Sequence, residues 1–174
     1  MTGLHGSRME ISPNDKSHRA NASQFFVAGE LCRRGYVAVV TLGNTPNTDV
    51  LCSNGAGTKF VHIQVKTFVP GNKTCSVGAK AETAVGDSFF WIIAGIPLPN
   101  TSDPFRYFVI PSHIMADHVS ELHKKWLREP GNKGQPRRDS RIRVVGVDAK
   151  AGPYVWNVTA YEDRWDLIDA ALKA

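Results

Sequence analysis

The sequence predicts an α/β fold on three observations. Residues 16–34 read as a helix, and three β-rich stretches separated by turn residues follow it closely. Residues 88–95 (Ser-Phe-Phe-Trp-Ile-Ile-Ala-Gly) are almost continuously apolar, the pattern of a central strand buried on both faces. Residues 112–128 repeat Ile114, Met115, Val119, Leu122, Trp126 and Leu127 at helical spacing.

The first helix gathers Phe25, Phe26, Leu31 and the small residues Ala20, Ala22 and Ala28, and Gly35 is a suitable stop. Strands are expected at 36–42, 49–52 and 59–68. A Gly-rich connection over 53–58 makes the second and third a hairpin, so the three form an antiparallel meander. Residues 70–87 read as loop, with Gly71, Asn72, Gly78 and Gly86. A further strand is expected at 106–110, ended by Pro111. Short strands or loop are expected at 144–147 and 154–158. The chain closes on an amphipathic helix over 160–172, with Trp165, Ile168 and Leu172 on one face. Residues 1–15 carry little pattern and are expected to be a loose leader, with 16–174 forming one domain.

Composition narrows the class. The 174 residues are 42% hydrophobic, as in a soluble globular protein, and no apolar run reaches the length of a membrane span. Cys32, Cys52 and Cys75 are odd in number and lack a Cys-x-x-Cys spacing, which fits a reducing cytoplasm and points to neither a disulfide framework nor a zinc site. A formal charge of +5 is compatible with a polyanionic partner. The basic residues crowd into a polar segment over 129–143, where Lys133, Arg137, Arg138, Arg141 and Arg143 form a candidate phosphate-contacting arm.

The chemistry concentrates on 49–67. In Val61-His62-Ile63-Gln64-Val65-Lys66-Thr67, apolar and polar residues alternate, so His62, Gln64 and Lys66 share one face of a strand. A turn rich in Gly, Asn and Pro delivers Asp49 to the start of the neighbouring strand. Phosphodiester hydrolysis with a hard divalent cation needs oxygen ligands, an activated water and positive charge near the phosphorane. Asp49 can supply a carboxylate, Gln64 an amide oxygen and Val65 a main-chain carbonyl. Lys66 can orient the water or stabilise the transition state. Glu30, near the C-terminus of the first helix, could reach the same metal or pair with Arg34 one turn on. His113, His118 and His123 are five residues apart and do not share a helix face, so they make a poor metal set.

Glu30 in Gly-Glu-Leu-Cys-Arg-Arg-Gly-Tyr, Asp49 in Pro-Asn-Thr-Asp-Val and Gln64-Val65-Lys66, in the order helix, strand, strand, strand, resemble the PD-(D/E)xK nuclease superfamily. The usual acidic residue two before the lysine is Gln64, as in some members, and this removes one negative charge from the metal side. The resemblance implies a restriction-endonuclease-like core, a mixed β-sheet flanked by helices in the order α-β-β-β-α-β. It also implies Mg²⁺- or Mn²⁺-dependent hydrolysis of nucleic acid, with DNA the expected substrate. Asp49, Gln64, Val65 and Glu30 would be on the metal side and Lys66 would be the catalytic lysine. Double-strand cleavage from one site per chain admits a homodimer. Two other classes fit the same residues: a nucleic-acid-binding module that has lost its metal, and an interaction or immunity-type protein using the apolar surface around Trp126 and Trp165.

Overall fold

The computed structural model describes residues 16–42 and 45–173; the leader expected over 1–15 lies outside them. Helix α1 (Lys16–Arg33) leads into β1 (Val37–Val40), β2 (Val50–Ser53) and β3 (Phe60–Phe68). After β4 (Thr74–Ser76) and a single 3-10 turn (Ala79–Glu82) come β5 (Phe89–Gly95), β6 (Arg106–Pro111) and α2 (Ser112–Arg128). The chain ends with β7 (Val144–Gly146), β8 (Trp156–Asn157), a second 3-10 turn (Thr159–Tyr161) and α3 (Asp166–Lys173).

Five strands form one sheet in the order β1-β2-β3-β5-β6. β1, β2 and β3 are the antiparallel meander expected, whereas β3 and β5 run parallel, which makes the sheet mixed. β5 lies between β3 and β6 and is buried along its whole length, because helices cover both of its faces. On one face Val27, Ala28 and Leu31 of α1, Ile168 and Leu172 of α3 and Trp165 just before it pack on Val61, Ile63, Phe90, Ile92 and Val109. On the other, Met115 and Val119 of α2 pack on Trp91, Ile93, Phe108 and Ile110.

The end of α1 shows local sequence fixing a boundary. Gly35 takes φ 92°, and the amides of Gly35 and Tyr36 donate to the carbonyls of Cys32 and Leu31 at 3.0 and 3.2 Å. This pair of bonds caps the orphan carbonyls and turns the chain into β1.

Three expectations are corrected. The 70–87 segment is not all loop: Thr74–Ser76 pair with Val144–Gly146 to start a second sheet, β4-β7-β8, and the helix implied between the third and the buried strand is one 3-10 turn. The closing helix starts at Asp166 instead of 160, because Asp163 adopts φ 53° and donates its amide to Tyr107. Trp165, expected near a partner-docking surface, is 3% exposed inside the α1–α3 core. No helix among the described residues is long and apolar enough to cross a membrane.

At the end of β5 the ring of Phe68 lies over Gly95, where an added Cβ would meet Phe68 Cζ at 2.6 Å and Arg106 Cβ at 3.2 Å. Phe68 is buried and Arg106 is held by Glu162 at 2.6 and 2.8 Å, so neither has room to yield. Gly95→Ala is therefore expected to lower stability by about 1–3 kcal/mol, the range for overpacking a core, read as a shift of the denaturant midpoint at constant slope.

Candidate active site

β2 pairs with β3 only over Val50–Ser53, in register with Phe60–Ile63. The second half of β3 therefore runs on with β5 on one side and an open edge on the other. Main-chain groups alternate sides along a strand, and the amide and carbonyl of one residue point the same way. His62 gives its amide to Ser88 at 2.8 Å on the β5 side, while Ile63 accepts from the Asp49 amide at 2.8 Å on the β2 side. By this alternation Val65 presents its amide and carbonyl to the open edge.

Asp49 occupies that edge. Its Oδ2 accepts the Val65 amide at 2.8 Å and also a hydrogen bond from Gln64 Nε2. Its backbone is fixed from both sides, the amide donating to Ile63 and the carbonyl accepting from the Thr41 amide at 2.9 Å. The approach turn is tied as well: Asn47 takes φ 59° and accepts from Lys80 Nζ at 3.1 Å, and buried Thr48 meets His62 Nδ1 at 3.2 Å. The carboxylate is thus held by a hydrogen-bonded backbone and not by a free loop.

Asp49, Gln64, Val65 and Lys66 all line one cleft of about 530 Å³ that wraps the open edge of β3. β4 forms one wall with Thr74, Cys75 and Ser76, and the N-terminal half of α1 forms another with Arg19, Ala20 and Gln24. α1 is fastened there by buried Ser23, whose hydroxyl lies 2.6 Å from that of Thr67. Cys75 is no nucleophile, since burial pushes its thiol up to about 12 against the opposing charge of Lys66.

The residues expected from sequence divide. The structure brings Asp49, Gln64, Val65 and Lys66 together. Glu30 is not among the cleft residues; its carboxylate takes Arg33 at 2.8 and 2.8 Å and Arg34 at 2.8 Å, the pairing that competed with the metal reading. Of the α1 residues that line the cleft, Arg19, Ala20 and Gln24, the nearest in sequence to Glu30 is Gln24, nearly two turns earlier. Its signal was present in the sequence, because Gln24 follows Ser23 and precedes the buried Val27 and Ala28 on the stripe that packs on the sheet.

The basic segment is corrected in part. Arg143 is 6% exposed and is consumed internally by Glu82 at 2.7 and 3.1 Å, by Asp139 at 3.2 Å and by the carbonyls of Ser140 and Ile142. Arg137 donates to the Trp126 carbonyl at 3.1 Å and lies 4.9 Å over both the Trp126 and the Tyr154 rings. A buried guanidinium satisfied by two carboxylates cannot also neutralise a phosphate, so Arg143 leaves the arm; Lys133, Arg138 and Arg141 are exposed and Arg137 is half-buried.

Comparison with known proteins gives a fold-level match. No family model and no curated protein matches the chain. Among solved structures it is similar to a bacterial homing endonuclease, with a TM-score of 0.51 and 12% identity over 88% of this chain and 91% of that one. A Holliday junction resolvase of Archaeoglobus fulgidus matches over 75% of this chain and 92% of its own, at a TM-score of 0.42 and 15% identity. The mixed α/β fold is thus of the kind seen in that homing endonuclease.

Hydrogen bonding by Arg33, followed by Arg34, holds the Glu30 carboxyl below its ordinary 4.5 although partial burial opposes this. A depressed carboxyl contributes stability that is present above its unfolded value and lost as pH falls. Glu30→Gln is therefore expected to be destabilising near neutral pH and close to neutral in effect well below 4.5. Denaturant midpoints of the two proteins at both pH values check this; a difference that persists in acid would contradict it.

Proposed function

We propose that the chain is a metal-dependent nuclease hydrolysing phosphodiester bonds of nucleic acid, with DNA as the substrate. The observation that carries this reading is a single carboxylate, Asp49, fixed on the open edge of β3 beside Gln64, Val65 and Lys66.

The donors suit a hard cation. Asp49 offers a carboxylate, Val65 a carbonyl on the open edge, and Gln64 an amide oxygen once its side chain turns through half a rotation. All are oxygens, and Mg²⁺ commonly takes one or two carboxylates, completing its shell with waters and substrate phosphate. Mg²⁺ or Mn²⁺ bound there would act as a Lewis acid on the phosphoryl group. The chain's own residues do the rest. Asp49 keeps Gln64 and Val65 in place, and Lys66 directs an ammonium into the same cleft, where it hydrogen-bonds the attacking water or a non-bridging oxygen as charge develops. Lys133, Arg138 and Arg141 contact phosphates further along the strand.

A second reading, nucleic-acid binding without cleavage, is favoured by the low charge of the donor set. Among the described residues no group of three His, Cys, Asp or Glu side chains converges on a metal position, and Gln64 stands where a second carboxylate would strengthen one.

Plasmid nicking with Mg²⁺ or Mn²⁺ separates the two. Lys66→Ala is expected to lose roughly 10²–10⁴-fold in rate, the usual contribution of a positioned proton-transfer or charge-stabilising group. Glu30→Gln is expected to cut like the natural protein. Equal cutting by the natural protein and Lys66→Ala would remove Lys66 from the site; a gel shift without any cutting would favour the binding module.

A further inference from the structure

A second cleft, of about 430 Å³, opens between α2 and the segments 140–144 and 152–156. Its size is that of a small-molecule site, and its walls are mainly apolar and aromatic, including Leu122, Trp126, Ile142, Tyr154 and Trp156. The rings are held rigidly: His118 stacks on Trp156 at 4.4 Å, His123 stacks on Trp126 at 5.6 Å, and Arg137 is clamped between Trp126 and Tyr154. Nothing in the hydrolytic cleft uses these groups.

Two further observations say what the second cleft takes. It adjoins the first across β7, since Val144 lines both and its register partner Ser76 lines the hydrolytic side. Exposed cations also lie on the segment that forms one of its walls: Arg138 and Arg141, the latter between the lining residues Ser140 and Ile142. The neighbouring carboxylates are engaged already, Asp139 by His123 and Arg143 and Glu129 by the Tyr154 hydroxyl. Aromatic walls beside exposed arginines suit a flat base carried on a phosphate backbone.

We propose that this aromatic cleft is a nucleobase subsite, receiving an unpaired base of the strand whose backbone lies in the Asp49–Lys66 cleft. The inference rests on the nucleic-acid reading above and extends it to substrate class: a strand with an unpaired or extruded base binds better than a fully stacked duplex. Extruding a base from a duplex consumes part of the binding energy, least where the base is mismatched or already single-stranded.

The test measures binding of a single-stranded DNA oligonucleotide and of an abasic strand with the same number of phosphates, by fluorescence anisotropy, with Ca²⁺ replacing Mg²⁺. Phosphate contacts are common to both strands, so the affinity ratio isolates the base. The natural protein is expected to prefer the intact strand roughly tenfold, the loss for one stacked base. Ile142→Glu, at a position 67% exposed where little burial is lost, and Tyr154→Leu should both bring the ratio towards one, while Lys66→Ala keeps it. A ratio near one in the natural protein, or an unchanged ratio in both cleft variants, overturns the subsite and leaves the nuclease reading standing. A cleft-dependent ratio without Lys66-dependent cutting supports the subsite and overturns catalysis alone. Absence of binding to either strand overturns both.

Discussion

The arrangement depends on one hydrogen bond, from the Val65 amide to the Asp49 carboxylate. β2 stops pairing after Val50 meets Ile63, so the next amide that β3 presents on that side has no strand to bond. A main-chain donor left without a partner costs about 1–3 kcal/mol where water is excluded. Here a side chain takes the place of the missing strand, and the consequence is chemical. The carboxylate that satisfies the backbone is thereby fixed at an open edge, within one cleft with an amide, a carbonyl and a lysine. Structural satisfaction and the candidate chemistry are the same contact.

Around that edge the layers have distinct tasks. α1 and α3 bury one face of the sheet, α2 buries the other, and the parallel β3–β5 pair holds the register that sets Gln64 beside Trp91 and Lys66 beside Ile93. The small β4-β7-β8 sheet does more than cover the core. Its β4 walls the Asp49–Lys66 cleft, and its β7 carries Val144 between that cleft and the aromatic one. A strand of nucleic acid crossing β7 would meet oxygen donors on one side and rings on the other.

Much of this was legible in the sequence where local pattern and tertiary demand agree. The alternation in 61–67 placed Gln64 and Lys66 on one face, the apolar run at 88–95 gave the central strand, and α2 runs over 112–128 as its periodicity requires. Two corrections share a cause, since each turns on a long-range partner. Three residues, Thr74–Ser76, are a strand only because β7 returns to pair with them. Arg143 looks like one more cation of a basic run until Glu82, far away in the chain, is found against it. Glu30 sits in a motif that suits a metal ligand, yet Arg33 and Arg34, its nearest helical neighbours, take its carboxylate. Gln24 lies on the helix stripe that the sequence spacing shows, but which members of that stripe line a cleft depends on the wall opposite.

The central claim is that Asp49, not Glu30, provides the carboxylate for a divalent cation at the open edge of β3. Titration calorimetry with Mn²⁺ tests it most directly, comparing the natural protein with Asp49→Asn and Glu30→Gln. The account predicts one binding event that is lost in Asp49→Asn and kept in Glu30→Gln. Binding that survives in Asp49→Asn, or that disappears in Glu30→Gln, would contradict it.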